Sequence, residues 1–447
     1  MRRKTAIKVL RLGCLILVLI STFACAQTSV APSVQKTIKF GGPFTLTGPM
    51  ANWLDQSAIA AQDYIRYIND EYGGIEYTAP SGQKEIVKAE LIWEDVGYSI
   101  PRTISAYERF KADGVQFIFC HGSAPTSSLA TFASRDKIPG LVLSPSTMDL
   151  IMYEVDPPYI LCDCDGVPEQ GGGGIYWVKN ELWKEARPLS IGYIGMDIPT
   201  RRVITKDDIV AKFCQKIGVN FVGADFIPLA PMDTSIELKR QVGNGAEWIV
   251  LDIPTGAMQT VIKDAKRLGF TPPEGKLRFL LAYPYERVMA KDAQLFEGSF
   301  GTSAAVFEQG VPGSDLAVKV IEKYHPGARP GIDYGQLYLS SFSDAIFAIN
   351  TVKGVLEKAG YEKFSGPAVR EALFDCTKPI DTMGILPTVT MDPQWPLKHP
   401  YIRLGEVRGA RLYVYGTGKW YETPPMGFGK PRFNPNIPEG VVTNYVK

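Results

Sequence analysis

Ile38-Lys39-Phe40-Gly41-Gly42-Pro43-Phe44-Thr45-Leu46-Thr47-Gly48-Pro49-Met50-Ala51-Asn52-Trp53 is the stretch whose reading decides the fold. Ile38 to Phe44 carries the apolar weight of a strand, and Thr47-Gly48-Pro49 closes it with turn residues. Ala61, Tyr64, Ile65, Ile68 and Tyr72 then recur at helical spacing. Gly73-Gly74 stops that helix, because glycine takes the left-handed conformation of a helix end without steric cost. Val87, Ala89, Leu91 and Trp93 alternate, which predicts a second strand. Strand, helix and strand in succession make a βαβ unit, the building block of parallel sheets.

The alternation continues outward. Thr103 is placed to cap a helix carrying Ile104, Tyr107 and Phe110, with Gly114 at its end. Val115 to Cys120 reads as a strand, 126–135 as a helix and Gly140 to Leu143 as a strand. After Pro157-Pro158 the pattern restarts. Helices are expected at 169–186, 203–217, 235–243 and 256–268, and strands at 189–195, 220–227, 248–251 and 277–282. Long helices follow near 314–324, 335–358 and 367–375, and 401–405 with 411–415 alternate like a closing hairpin. Two such runs predict an α/β fold of two doubly wound parallel-sheet lobes. Ligands of open α/β sheets sit beyond the carboxyl ends of the strands. The loops of interest are therefore 45–53, 121–128, 144–149, 196–201, 252–256 and 283–286.

Composition narrows the function. The 447 residues include 48 Lys+Arg and 47 Asp+Glu, a net charge of +1, with 45% apolar and 21% charged residues. That is ordinary globular usage, which rules out disorder for most of the chain. No basic run suggests a nucleic-acid surface. His121, His325 and His399 share no metal-ligand spacing, so neither a metal nor a cofactor is expected. Arg2, Arg3 and Lys4 precede a short apolar stretch around Leu15 to Ile20, and Ala24-Cys25-Ala26 offers small residues for a cut after Ala26. Residues 1–26 thus read as an export signal; a cut before Cys25 instead would leave that cysteine lipid-anchored. Losing 1–26 removes five basic residues and no acidic ones, taking the net charge to −4. Cys120, Cys162, Cys164, Cys214 and Cys376 remain, an odd count whose pairing stays open.

The strand-end loops carry polar groups but no catalytic machinery. His121-Gly122-Ser123-Ala124-Pro125-Thr126-Ser127-Ser128 opens a helix, and its hydroxyls and free amides suit a carboxylate or serve simply as a cap. Ser144-Pro145-Ser146-Thr147 repeats that chemistry one strand later. No GxSxG elbow marks a serine hydrolase, and nothing supplies His121 with triad partners. Gly171 to Gly174 lacks the Lys-Ser/Thr of a phosphate loop, and no glycine fingerprint precedes Asp95.

At this point the chain resembles the type I periplasmic binding proteins, closest to the leucine/isoleucine/valine-binding proteins of ABC importers. The resemblance rests on 38–75, with Leu46-Thr47-Gly48-Pro49, Asn69 and Gly73-Gly74-Ile75, and on Glu94-Asp95, Lys137-Ile138-Pro139, Glu169-Gln170-Gly171 and Ala265 to Phe270. It implies two lobes joined by a three-strand hinge, with crossovers near 157–160, 302–306 and 377–381. Lobe 1 would take 37–157 and 305–378, and lobe 2 158–304 and 379–422. Residues 27–36 would be a linker and 423–447 a Pro-rich tail. It further implies a monomeric receptor in the periplasm or on the outer face of the cell membrane. Such a receptor holds a small molecule between its lobes and presents it to ABC permease subunits, without catalysis.

Carried over residue by residue, the resemblance places Thr126, Ser127, Ser144 and Ser146 at the ligand's carboxylate and ammonium, and Trp53 over its side chain. On the second lobe the chain departs from the pattern. Thr200 and Pro254 stand where tyrosines are common, Arg201 replaces a glycine, and Tyr283 stands where amino-acid binders place a glutamate. A buried ammonium needs a paired negative charge, so Asp165, Asp252 or Glu286 would have to substitute. Otherwise the ligand lacks an amine, Tyr283, Tyr285 and Trp53 stack on it, and Arg201 grips its carboxylate or stays a solvated surface residue. Three readings follow: an importer's receptor for an apolar amino acid or amide, the same receptor for an amine-free aromatic or aliphatic carboxylate, or a ligand sensor for a signalling partner.

Overall fold

The computed structural model describes residues 36–48, 50–143, 155–162, 167–375, 377–378, 381–386, 401–414 and 421–422. The expected export signal and the Pro-rich tail lie outside them. β1 (Thr37–Phe44) leads through the loop after it into α1 (Ala51–Tyr72). A hairpin follows, β2 (Ile75–Thr78) and β3 (Lys84–Asp95). Then come α2 (Ile100–Ala112), β4 (Phe117–His121), α3 (Ser123–Asp136), β5 (Gly140–Leu143) and β6 (Ile160–Leu161). These strands form one sheet in the order β2-β3-β1-β4-β5-β6, parallel except for the β2–β3 pair.

The motif residues of the opening stretch are explained by local geometry. Gly73 and Gly74 have φ of 75° and 140°. A Cβ on Gly74 would stand 2.2 Å from the Val87 carbonyl oxygen of β3. Asn69 ties α1 to the same strand: its amide donates to the Ala89 carbonyl at 2.6 Å and its oxygen accepts from the Ala89 N–H. Beneath, Phe40, Phe117 and Phe119 are fully buried with ring centroids 5.4–5.7 Å apart. Burying each such ring contributes about 1.5–3 kcal/mol.

The second run begins with α4 (Val167–Trp177), continued by a wider turn at Val178–Leu182, so the helix expected over 169–186 stops short of Trp183. Its glycine run is a packing device: a Cβ on Gly174 would meet Leu280 at 2.6 Å and Thr302 at 3.0 Å. β7 (Ser190–Met196), α5 (Ile209–Lys216), β8 (Asn220–Ile227), α6 (Ser235–Gly243), β9 (Trp248–Asp252), α7 (Thr255–Arg267), β10 (Arg278–Ala282) and β11 (Phe300–Ser303) follow. The expected helix at 203–217 is narrower, because Val203–Asp208 winds as a tighter 3-10 segment. After β11 come α8 (Pro312–Tyr324), α9 (Gln336–Ala359) and α10 (Gly366–Leu373), which pack over the first sheet. The hairpin β12 (Tyr401–Arg408) and β13 (Arg411–Val414) then returns to the second. The second sheet runs β13-β12-β11-β10-β9-β7-β8, parallel from β8 to β11 and antiparallel at the hairpin.

The fold is therefore α/β with two mainly parallel sheets. Leu161 still pairs in the first sheet, while α4 already packs on the second. The return passes from Ser303 in β11 to Ala305 in the first core. Three of these strands were not foreseen, among them the two-residue β6. β2 hides in the loop after Gly74, and β11 is a four-residue Phe-Gly-Thr-Ser segment with no apolar alternation.

Candidate functional site

The carboxyl end of β3 shows how one wall is wired. Asp95 Oδ1 accepts the N–H groups of Leu46, Thr47 and Gly97 at 2.9–3.2 Å, and Oδ2 accepts the Thr47 hydroxyl at 2.6 Å. Burial opposes ionisation there, but these donors prevail and hold the carboxyl below its usual range. Asp95 thus shapes the loop after β1.

His121 ends β4 and is buried. Its Nδ1 accepts the Thr45 N–H at 3.2 Å, so the neutral ring carries its proton on Nε2. Burial pushes its pKa down to about 3, against the Leu54 backbone. With its lone pair occupied, it is poorly placed to act as a base. In α3, Thr126 is fully buried and its hydroxyl has no hydrogen-bond partner among the described residues. Ser127 is half-buried and donates back to the Ala124 carbonyl at 3.0 Å. Ser144, Ser146 and Asp165 lie outside the described residues. So do the side chains of Trp53, on α1, and Thr200, in the turn Pro199–Arg202. Sequence reasoning missed Tyr98. A Cβ on Gly122 would meet its ring at 2.6 Å, so Tyr98 lies across the start of α3. Burial pushes the Tyr98 phenol up, against the Ala124 amide and the Arg201 charge.

The opposite wall is built on the second sheet. Arg201 and Asp252 form a buried ion pair, Nε to Oδ1 3.0 Å, with side chains 4% and 2% exposed. Tyr193 donates its hydroxyl to Asp252 Oδ2 at 2.6 Å. Sheet register explains this contact. Gly195 faces Asp252 across β7 and β9, and a Cβ on Gly195 would stand 2.6 Å from the Tyr193 ring. The ring therefore passes over Gly195 to reach the carboxylate. Tyr193-Ile194-Gly195 was the available sequence signal. Burial pushes Asp252 up, and Arg201 and Tyr193 pull against it. The solvated-surface alternative for Arg201 is corrected: the side chain is interior.

Tyr283 follows β10 directly, buried and held at φ 55°, a strained backbone for a bulky residue. Tyr285 is buried too, and its N–H donates to Thr255 Oγ1 at 2.8 Å. Burial pushes the Tyr285 phenol up, reinforced by Glu286 and Asp55 and opposed by Arg201. The Arg201 charge thus opposes burial at both Tyr98, beside the first sheet, and Tyr285, beside the second. Glu286 is turned elsewhere: Oε2 accepts the Gln336 N–H at 3.2 Å, and a Cβ on Gly335 would stand 2.0 Å from it. Burial pushes Glu286 up to about 7. Beside it Arg287 pairs with Asp55 of α1 at 2.7 Å, and Gln336 Nε2 donates to the Pro284 carbonyl.

Among the described residues, no cluster of three metal-ligating side chains occurs and no helix is long and apolar enough to cross a membrane. Cys120 and Cys214 are buried free thiols; burial pushes Cys214 up to about 12. Cys164 and Cys376 lie outside the described residues.

The fold has many counterparts among solved structures. A branched-chain amino acid ABC transporter protein from Thermus thermophilus with bound valine is 19% identical. The match covers 86% of this chain and 95% of that one, with a TM-score of 0.68. A fatty acid ABC transporter substrate-binding protein from Thermomonospora curvata is 17% identical over 88% and 96%, TM-score 0.66. A solute-binding protein of an ABC transporter from Rhodopseudomonas palustris in complex with p-hydroxybenzoic acid is 16% identical over 88% and 99%, TM-score 0.67. No curated protein matches the sequence. The family model described as periplasmic binding protein matches residues 37–404. With two mainly parallel sheets, the chain belongs to the type I periplasmic binding proteins of the branched-chain amino acid-binding kind, a family of solute-binding proteins.

Proposed function

We propose that this protein is the extracytoplasmic substrate-binding component of an ABC importer. It captures a small carboxylate-bearing molecule between its lobes and delivers it to permease subunits in the inner membrane. The observation that carries this reading is Arg201, a cation buried at the strand ends of the second sheet and paired with Asp252. Valine and p-hydroxybenzoate, bound by two structural counterparts, share a carboxylate. The same reading makes residues 1–26 an export signal, with periplasmic release or a lipid anchor at Cys25, and the working unit a monomer. It divides the chain into lobe 1, 37–157 and 305–378, and lobe 2, 158–304 and 379–422. The β5–β6 pairing supports moving the first boundary beyond Leu161.

Thermal unfolding against a ligand panel tests it. The panel holds apolar amino acids, their amides, aromatic and aliphatic carboxylic acids, and sugars and simple amines as controls. A ligand at 100 times its Kd adds about 2.7 kcal/mol, which raises the midpoint visibly. At least one carboxylate is expected to do so. A rise only with sugars or with amines lacking a carboxylate would sink the reading.

A further inference from the structure

The guanidinium of Arg201 is only partly used inside the protein. Its Nε lies 3.0 Å from Asp252 Oδ1 without being aligned for a hydrogen bond. A guanidinium presents five donors in a planar fork, matched to a carboxylate. Asp252 is engaged on both oxygens, by Arg201 on one and by Tyr193 on the other. This pairing braces the arginine from the Asp252 side.

We propose that Arg201 anchors the ligand's carboxylate and that the ligand class is a carboxylic acid without an α-amino group. The proposal rests on the reading of the chain as a carboxylate receptor and deepens it. Among the described carboxylates, charge placement favours an acid over an amino acid. An ammonium brought to Asp252 would stand beside the like charge of Arg201. Glu286 is turned to the first turn of α9, and Asp55 is paired with Arg287. A carboxylate on the outer edge of Arg201, by contrast, is nearer the guanidinium than Asp252, so attraction outweighs repulsion. Tyr98, Tyr283 and Tyr285 offer flat, largely apolar faces for the ligand's body.

The test is isothermal titration calorimetry of the purified protein with matched pairs: 3-phenylpropanoate against phenylalanine, 4-methylpentanoate against leucine, and benzoate against benzamide. The acid of at least one of the two acid–amino acid pairs is expected to bind about 100-fold more tightly than its partner. Arg201→Lys, which keeps the charge but loses the fork, should weaken that acid about tenfold or more while the unfolding midpoint stays near wild type. The wild-type comparison stands even if a variant fails to fold. An amino acid that binds as tightly as its acid, or an acid indifferent to Arg201→Lys, overturns the proposal and leaves the receptor reading intact. Binding by no member of any pair overturns the carboxylate-receptor reading itself.

Discussion

Asp95 ends β3 in the first sheet, and Asp252 ends β9 in the second. Both stand where ligands of this fold class approach. Asp95 spends its oxygens on backbone amides and a hydroxyl of neighbouring loops, and its carboxyl is held low. Asp252 is sealed from solvent, faces a cation and a phenol, and is pushed up by burial. The first carboxylate fixes the shape of a wall. The second holds another charge in place. Position at a strand end therefore does not assign a role; what the oxygens accept does.

The sharpest way to break this contrast is to remove the cation. Arg201→Met leaves Asp252 buried and unpaired, which should cost about 3–5 kcal/mol in urea unfolding. Adding Asp252→Asn, which removes the stranded charge and still accepts from Tyr193, should recover most of the loss. A single variant costing under about 1 kcal/mol would show that the pair is not a buried charge pair.

Glu286 sharpens the comparison as a buried carboxyl with no ion-pair partner among the described residues; the Gln336 N–H and the Arg411 charge pull against its burial. Its folded pKa of about 7 lies above the ordinary 4.5, so the folded state binds the proton more tightly across that window. Stability therefore falls as pH rises from about 4.5 to 7. Glu286→Gln should be more stable than wild type by about 3 kcal/mol at pH 8 and equal to it near pH 4. Equal unfolding curves at pH 8 would contradict this.

The smallest effect belongs to the half-exposed network. Asp95→Asn should cost about 1–2 kcal/mol near neutral pH, through the lost charge and the mispaired Thr47 hydroxyl. Because Asp95 is held low, its contribution is present above the ordinary carboxylate range and lost as pH falls through the folded value. The gap between variant and wild type should narrow below about pH 4. A gap that widens on acidification would put the depressed carboxyl in doubt.

Legibility in the sequence followed the range of each interaction. Asn69 and Gly73-Gly74 act within one βαβ unit, so their pattern marks α1 and the strand beside it. The loops at strand ends followed from alternation alone. The pairing of Arg201 with Asp252 did not, because 51 positions separate them and only the β7–β9 register joins them. Tyr193 looks like any core aromatic until Gly195 opens its path. Tyr98 follows Gly97 in a turn, where no periodicity operates. Glu286 could be named as a candidate anion, but its engagement with Gln336 depends on how a loop of one sheet meets a helix of the other.

The helices over the first sheet have one more consequence. β1 is made early, yet the core around it includes Ala317, Val320, Tyr338, Phe342, Val369 and Leu373. Its strands must wait, apolar faces uncovered, until most of the chain has been synthesised. The second sheet draws β7 to β11 from 190–303 and needs only the late hairpin to finish. The middle of the polypeptide can thus assemble before its beginning is complete. A ribosome or translocation channel would release a chain whose oldest segment stays open until α10 has been made, and whose exposed β1 and β4 are the natural hold for a chaperone.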